Sequence, residues 1–323
     1  MSDYREDITA VINGLASEKF VDRLFMRDAS AWKEGQDEKD IIANALGWLD
    51  MPLKQKKDLD VITAFAEEIK KDGFTDVVLL GMGGSSLAPY VMAESFGSAK
   101  GFPRLTVLDS TDPDAIRAVE ERVNLKKTLF IVASKSGSTI EPQTLFAYFH
   151  EKMIDIVGDA ARLNFIAITD AGSMLEGQSK ELHLRACFVN PADIGGRFSA
   201  LSYFGLVPAA LIGVDVVRLV GASRAMYDAS IPTVPLNSNS GVILGASIGV
   251  LAKKGKDKLT FFTAPEISTF GLWLEQLIAE STGKEGRGIV PISGEEILPP
   301  NEYGQDRVFV HIGAHTRVRS SAN

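Results

Sequence analysis

The chain is short of cysteine, of long apolar runs and of positive charge, and each shortage removes a class of protein. Cys187 is the only cysteine among 323 residues, which excludes an internal disulfide and a cysteine-based zinc site and fits a buried structural thiol in a reducing cytosol. No apolar stretch approaches the length of a membrane span, and the most apolar segments, such as residues 242–252, are short and rich in glycine and alanine. Residues 1–9 are charged rather than apolar, unlike a secretory leader. Thirty-four basic residues against 42 acidic ones give a net charge of −8, which argues against general affinity for nucleic acid or an anionic membrane. Any anion must therefore be held by a local arrangement. A cytoplasmic protein with neither a nucleic-acid nor a membrane partner is expected.

The length accommodates about two domains. Residues 1–72 read as a helical lead-in without chemistry of its own; Val61, Phe65 and Ile69 recur every fourth residue on one apolar face. From Val77 onward, apolar strand runs at 77–80, 105–108, Thr128–Ala133, 165–168 and 186–189 alternate with helical segments. In the clearest of these, Asp112 suits the N-cap, Pro113 the first helical position, and Ile116, Val119 and Val123 the buried face. Such alternation predicts an α/β fold with a parallel sheet covered on both faces, whose ligands bind beyond the carboxyl ends of the strands. Two helices are expected at 199–212 and 214–229, then a boundary segment at 228–239. A shorter second alternation follows: helix 242–252, strand 259–263, helix 269–280, and strands 288–292 and 308–312. The expected organisation is a lead-in at 1–72, a first α/β domain at 73–230 and a second at 231–323.

Four loops carry chemistry. Ser134-Lys135-Ser136-Gly137-Ser138-Thr139-Ile140-Glu141-Pro142 joins a strand to a helix. Unpaired N–H groups at the helix start, the helix dipole and clustered hydroxyls favour a phosphomonoester there, although the same residue types serve as simple helix caps. Gly81-Met82-Gly83-Gly84-Ser85-Ser86 ends the first strand. It reads either as a dinucleotide loop, with Asp109 on the ribose and Ser86 at the third glycine position, or as a compact anion loop in which Gly83 and Gly84 admit the ligand and Ser85 donates to it. A Walker A loop is excluded, because no Gly-Lys-Ser/Thr follows. Gly195-Gly196-Arg197 exposes backbone beside a permanent cation, with Phe198 and Leu201 favouring a fixed, partly buried arginine over a solvated one. Glu280 falls in the last turn of a helix, against the dipole preference. It is either a surface glutamate near Lys284 or a base whose pKa that placement raises, and partial burial would raise its basicity further.

These loops, in this order, resemble phosphoglucose isomerase, and with the helical lead-in are most similar to the isomerase half of transaldolase/phosphoglucose isomerase fusions. The resemblance implies two sugar-isomerase (SIS-type) domains and aldose–ketose isomerisation between glucose 6-phosphate and fructose 6-phosphate through a cis-enediol. It implies phosphate contacts from Ser85, Ser134, Ser136 and Thr139, and loop backbone at Gly83, Gly84 and Gly196 facing the sugar. Lys135 would lie near the sugar and phosphate, Arg197 would steady the developing charge, and Glu280 would be the base. No metal or other cofactor is implied; a homodimer or association with a transaldolase portion is.

The chain also departs from the family. Gly304-Gln305 is followed by Asp306 and Arg307 where the family has a ring-opening histidine; His311 and His315 are nearby but belong to a strand and its end. The family's C-terminal lysine has no counterpart. The expectation is an incomplete second domain with an open sheet edge, or alternatively a sugar-phosphate-binding module without turnover.

Overall fold

The computed structural model describes residues 4–54 and 56–313; His315 lies outside them. Four helices lead in, α1 (Arg5–Ser17), α2 (Phe20–Phe25), α3 (Gln36–Ala43) and α4 (Lys56–Lys71). The chain then enters β1 (Asp76–Gly81), every residue of which is buried. Helix α5 (Leu87–Phe96) connects it to β2 (Arg104–Leu108), α6 (Pro113–Arg122) leads to β3 (Thr128–Ala133), α7 (Ile140–Val157) to β4 (Phe165–Asp170), and α8 (Met174–Glu181) to β5 (Ala186–Asn190). The five strands are all parallel, in the order β2-β1-β3-β4-β5.

Successive residues of a strand face opposite sides, and both sides of this sheet are apolar. Val77, Leu79, Leu129, Ile131 and Ile166 pack with Leu59, Ile62 and Ile69 of α4 and with Phe204, Leu206 and Val207 of α9 (Tyr203–Leu211). Val78, Leu80, Phe130, Val132 and Phe165 face Val119 of α6 and Leu145, Phe149 and Met153 of α7. Each such fully buried side chain contributes about 1.5–3 kcal/mol, so this two-sided core fixes where the strand ends lie.

Asp112 caps α6 as its sequence predicts, accepting from Asp114 and Ala115 N–H, with Pro113 at the first helical position. The stretch expected as one helix over 199–212 is instead a 3-10 turn, Gly196–Leu201, followed by α9. Ser202 makes the break: it is extended, and its hydroxyl accepts from the Phe204 N–H at 3.3 Å as an N-cap. After α10 (Val216–Asp228) and α11 (Ser240–Lys253), β6 (Lys258–Thr263) is the centre of a second parallel sheet. Helix α12 (Phe270–Thr282) precedes β7 (Val290–Ile292), which is shorter than predicted, and β8 (Arg307–Ile312) closes the order β7-β6-β8. No described helix is long and apolar enough to cross a membrane.

Candidate active site

In the order β2-β1-β3-β4-β5 the connections diverge between β1 and β3, and a crevice opens beyond the carboxyl ends of those two strands. Gly81 of β1 and Ala133 of β3 lie side by side at that point, so the two loops that follow them form the crevice walls.

After β1, Gly83 takes a left-handed φ of 52° and Gly84 meets the third loop backbone to backbone. A Cβ on Gly84 would lie 2.4 Å from the Gly196 carbonyl carbon, a separation no side chain tolerates. The Ser199 hydroxyl ties the same contact, within reach of Gly84 O at 3.0 Å and Gly196 O at 2.6 Å. Ser85 and Gly196 both face the resulting cavity of about 580 Å³.

After β3, Ser134 is buried and its hydroxyl is spent within the loop, accepting from Gly137 N–H at 3.1 Å and donating to Thr139 Oγ1 at 3.1 Å. It does not face the cavity, whereas Ser136 and Thr139 do. Thr139 is the N-cap residue of α7, yet no side chain caps that helix, so its first N–H groups remain available to an anion. Lys135 also lines the cavity, but its ammonium is paired with Asp170 Oδ2 and donates to Ala192 O at 2.8 Å rather than standing free. Burial at the end of β4 pushes the Asp170 carboxyl above the usual carboxylate range, although Lys135 pulls it the other way.

Arg197 is a fixed cation. Its Nη1 donates to Glu280 Oε1 at 2.8 Å, its Nε donates to Ser281 Oγ at 2.8 Å, and its guanidinium stands 4.7 Å from the centroid of the Phe198 ring. Glu280 occupies the last turn of α12, as its sequence position predicts, but the expected partial burial is not found: its side chain is 51% exposed. The guanidinium is what fixes it. Lys284 does not neutralise the Glu280 carboxylate; its ammonium donates to the carbonyls of Glu280 at 2.6 Å and Ser281 at 3.0 Å, satisfying the helix end.

Several residues at the site were not singled out by sequence reasoning. Gln276, one turn before Glu280, lines the cavity and donates to Glu280 Oε2 at 3.4 Å; its i−4 spacing was the available signal. Asp170 ends a strand on the crevice side, where acidic residues tend to be functional. The lead-in also contributes. Arg27, with a left-handed φ of 55°, donates to Asp193 Oδ2 at 2.9 Å and Asp50 Oδ2 at 2.5 Å. Gly47 N–H donates to Asp193 O at 2.8 Å, and Trp48 stacks on Phe198 with centroids 5.4 Å apart. The segment expected to carry no chemistry therefore braces the loop that holds Arg197.

The dinucleotide reading finds no support in this geometry, because Asp109 is not among the residues lining the cavity, and Ser86 is buried with its hydroxyl donating to Gly83 O at 3.2 Å. Asp306, the residue after Gly304-Gln305, pairs with Lys258 at 2.6 Å, and Arg307 pairs with Glu295 at 2.6 Å. His311 is exposed on β8. None of these three lines the cavity. A larger cavity of about 720 Å³ between the lead-in and α10–α12 is walled by Phe20, Phe25, Trp48, Met226, Trp273 and Leu277, among others, and presents no cation, so a phosphate has no counter-charge there.

Comparison with known proteins agrees with the loops. The phosphoglucose isomerase family model matches residues 20–295. Glucose-6-phosphate isomerase of Trichormus variabilis is 35% identical over 246 residues, covering 70% of this chain and 45% of that protein. The Rubrobacter xylanophilus glucose-6-phosphate isomerase is 30% identical over 260 residues, covering 76% of this chain and 58% of that protein. This chain thus spans about half the length of the curated relatives it matches. Among solved structures, a hypothetical protein of Thermus thermophilus superposes with a TM-score of 0.76 at 23% identity, covering 97% of this chain and 68% of that one. A glucose-6-phosphate isomerase from Chlamydia trachomatis superposes with a TM-score of 0.63 at 23% identity, covering 85% of this chain and 52% of that one. Both share the α/β fold with parallel sheets between helices.

Proposed function

The chain belongs to the phosphoglucose isomerase family, and we propose that it interconverts glucose 6-phosphate and fructose 6-phosphate in the cytoplasm by moving a proton between C1 and C2. The observation that carries the reading is the Arg197–Glu280 pair, 2.8 Å between Nη1 and Oε1. Neither residue lines the cavity itself; the pair adjoins it through Gly196, which precedes Arg197, and Gln276, which donates to Glu280, while Ser85, Ser136, Thr139 and an uncapped helix start edge the cavity. A phosphate site alone has no use for a carboxylate held against a guanidinium. An aldose–ketose isomerase needs both: a base that returns what it takes, and a cation where the enediolate oxygen develops charge.

On this reading the phosphate is held by Ser85, Ser136, Thr139 and the first N–H groups of α7, while Ser134 shapes the loop. Gly83, Gly84 and Gly196 bring backbone close to the sugar. With the open-chain sugar bound, Glu280 removes the proton from C2 of the aldose or C1 of the ketose, and Arg197 turns from the carboxylate to the substrate oxygen that becomes negative. The hydroxyl proton passes between O1 and O2 of the cis-enediol, and the protonated Glu280 then delivers its proton to the neighbouring carbon, so that each proton taken up is returned. Residues 73–230 would supply phosphate, lysine and arginine contacts, and residues 231–323 the base. The partners this reading carries with it are a second copy of the chain or a transaldolase portion, which sedimentation of the purified chain, alone and with added transaldolase, tells apart.

The test is conversion of fructose 6-phosphate to glucose 6-phosphate by the purified chain. Product formation that Glu280→Gln removes supports the reading; no conversion and no rise in melting temperature with fructose 6-phosphate defeats it. The second reading, a sugar-phosphate-binding module, is favoured by Asp306 standing at the family's histidine position in an ion pair with Lys258. A melting-temperature rise with fructose 6-phosphate, no turnover, and a Glu280→Gln variant indistinguishable from the parent would select it.

A further inference from the structure

The Lys135–Asp170 pair has more structure than a phosphate-binding lysine requires. Lys135 follows β3 in the loop that edges the cavity, yet its ammonium is divided between Asp170 Oδ2 and the Ala192 carbonyl at 2.8 Å. Asp170 is buried at the carboxyl end of β4, and its other oxygen, Oδ1, is enclosed without a hydrogen bond among the described residues. The backbone on both sides is pinned: Asp170 N–H donates to Lys135 O at 3.2 Å, and Ser173 N–H donates to Asp170 O at 3.3 Å. The backbone therefore stays in place at the cavity wall when the ammonium leaves, and the largely buried carboxylate stays with it.

We propose that Asp170 is a positioning residue that parks Lys135 at the pocket wall and releases it to the sugar phosphate, taking up a proton from solvent as it does so. This rests on the sugar-phosphate reading of the pocket and deepens it: the ligand is recognised as a dianion through an ion-pair exchange.

Charge and burial together give the reason. A phosphate dianion seated among Ser85, Ser136, Thr139 and the start of α7 competes for the ammonium nearest to it, and lysine, a point charge on a flexible stem, can turn to it. The carboxylate left behind would be buried, unpaired and close to a dianion. The groups facing it compensate only in part: Asn190 on β5 favours the carboxylate but carries no charge, and Asp193 in the following loop opposes it and is bound to Arg27 at 2.9 Å. A buried carboxylate that loses its cation is relieved most cheaply by protonation. The direction is already set before the exchange, since burial holds the Asp170 carboxyl above its ordinary range even with Lys135 beside it. No bond to carbon is involved; one proton moves from buffer to Asp170 Oδ1 or Oδ2 as the ammonium changes partner.

The sign follows from linkage. If the liganded chain holds a proton that the free chain does not, binding strengthens as pH falls through the interval between the two Asp170 titrations, by up to about tenfold per pH unit for a full proton. Near pH 8 a phosphomonoester is already a dianion free and bound, because its second ionisation lies near pH 6, so its own titration does not enter.

The experiment is calorimetric titration of the full chain with fructose 6-phosphate at pH 8 in two buffers of different ionisation enthalpy, for the parent, Asp170→Asn and Lys135→Gln. The expected result is a substantial fraction of one proton taken up per ligand by the parent, and none by Asp170→Asn, whose affinity stays flat from pH 7 to about pH 8.5. Lys135→Gln, which has no ion pair to exchange, should bind more weakly and also without uptake. Circular dichroism melts verify that each variant is folded; if Asp170→Asn is not, Lys135→Gln carries the comparison. Binding by the parent with no proton exchange overturns the proposal while leaving the sugar-phosphate reading intact, as does undiminished uptake by Asp170→Asn. Absence of fructose 6-phosphate binding by the folded parent removes both.

Discussion

Glu280 acts on this account through its carboxylate alone, so Glu280→Gln keeps the shape of the side chain and removes the base. The expected loss in turnover is about 10²- to 10⁴-fold, with the dissociation constant for fructose 6-phosphate changed only a few-fold, as read by steady-state kinetics beside calorimetry. Equal losses in affinity and turnover would show that the residue serves binding instead. Gly84 makes a different kind of demand. A methyl group there would sit 2.4 Å from the Gly196 carbonyl carbon, so Gly84→Ala must push the first and third loops apart. Overpacking of this sort costs about 1–3 kcal/mol, and because Arg197 follows Gly196 directly, activity should fall together with melting temperature. A variant with unchanged melting temperature and full activity would mean that the loops yield freely. Asp170 supplies a pH signature. Its carboxyl is raised by burial, so its contribution to stability is fully present below the unfolded-state value near pH 4 and is lost as pH rises through the higher folded-state value. The melting temperature of the parent relative to Asp170→Asn should therefore decline as pH is raised over that window; a difference independent of pH contradicts the raised titration. That Gly83, Gly84, Ser85, Ser136 and Thr139 edge the cavity was legible in the sequence because their signals are local, whereas the inward turn of Ser134 was not. The exchange of Lys135 onto Asp170 was not, since it depends on which of two polar neighbours lies nearer in space, 35 residues apart along the chain.

At the level of elements, the strands were legible within a residue or two, because runs buried on both faces leave little choice of position. Residues 199–212 were not, because an apolar helical pattern continues straight through Ser202 and only the cap at that residue divides it. The lead-in is helical as its pattern predicts, although Val61, placed on the apolar face with Phe65 and Ile69, is exposed; its bracing of the Arg197 loop was invisible, because Arg27 and Asp193 are 166 residues apart. Ion pairs whose side chains stay about a third exposed, as these do, contribute little to stability individually, about 0–1 kcal/mol, so the value of this brace should appear in placement rather than in melting temperature. Arg27→Ala is accordingly expected to lower turnover about tenfold, equivalent to about 1.4 kcal/mol in the transition state, while shifting the melting temperature little. If the melting temperature falls and turnover is untouched, the lead-in is packing and nothing more. Trp48→Ala, which removes the ring stacked on Phe198, should move turnover in the same direction.

The whole molecule assembles its site from segments that are distant in sequence. The loops after β1 and β3 and Arg197 belong to the five-stranded sheet and its connections, and Glu280 to the helix beside the three-stranded sheet, so the guanidinium–carboxylate pair joins residues 83 apart. A net charge of −8 offers a phosphate no general attraction, so on the proposed function binding comes from the helix start, the hydroxyls and Lys135. The loops made the family legible, since four of them in order constrain far more than any one. Whether this chain carries out the proton transfer is a separate question from its family. That question reduces to one measurement: the purified chain incubated with fructose 6-phosphate in heavy water, with carbon-bound hydrogens followed by NMR. The account predicts deuterium appearing at C1 of fructose 6-phosphate and at C2 of glucose 6-phosphate, and neither with Glu280→Gln. Fructose 6-phosphate that binds, as judged by melting temperature, yet keeps all its carbon-bound hydrogens would contradict it.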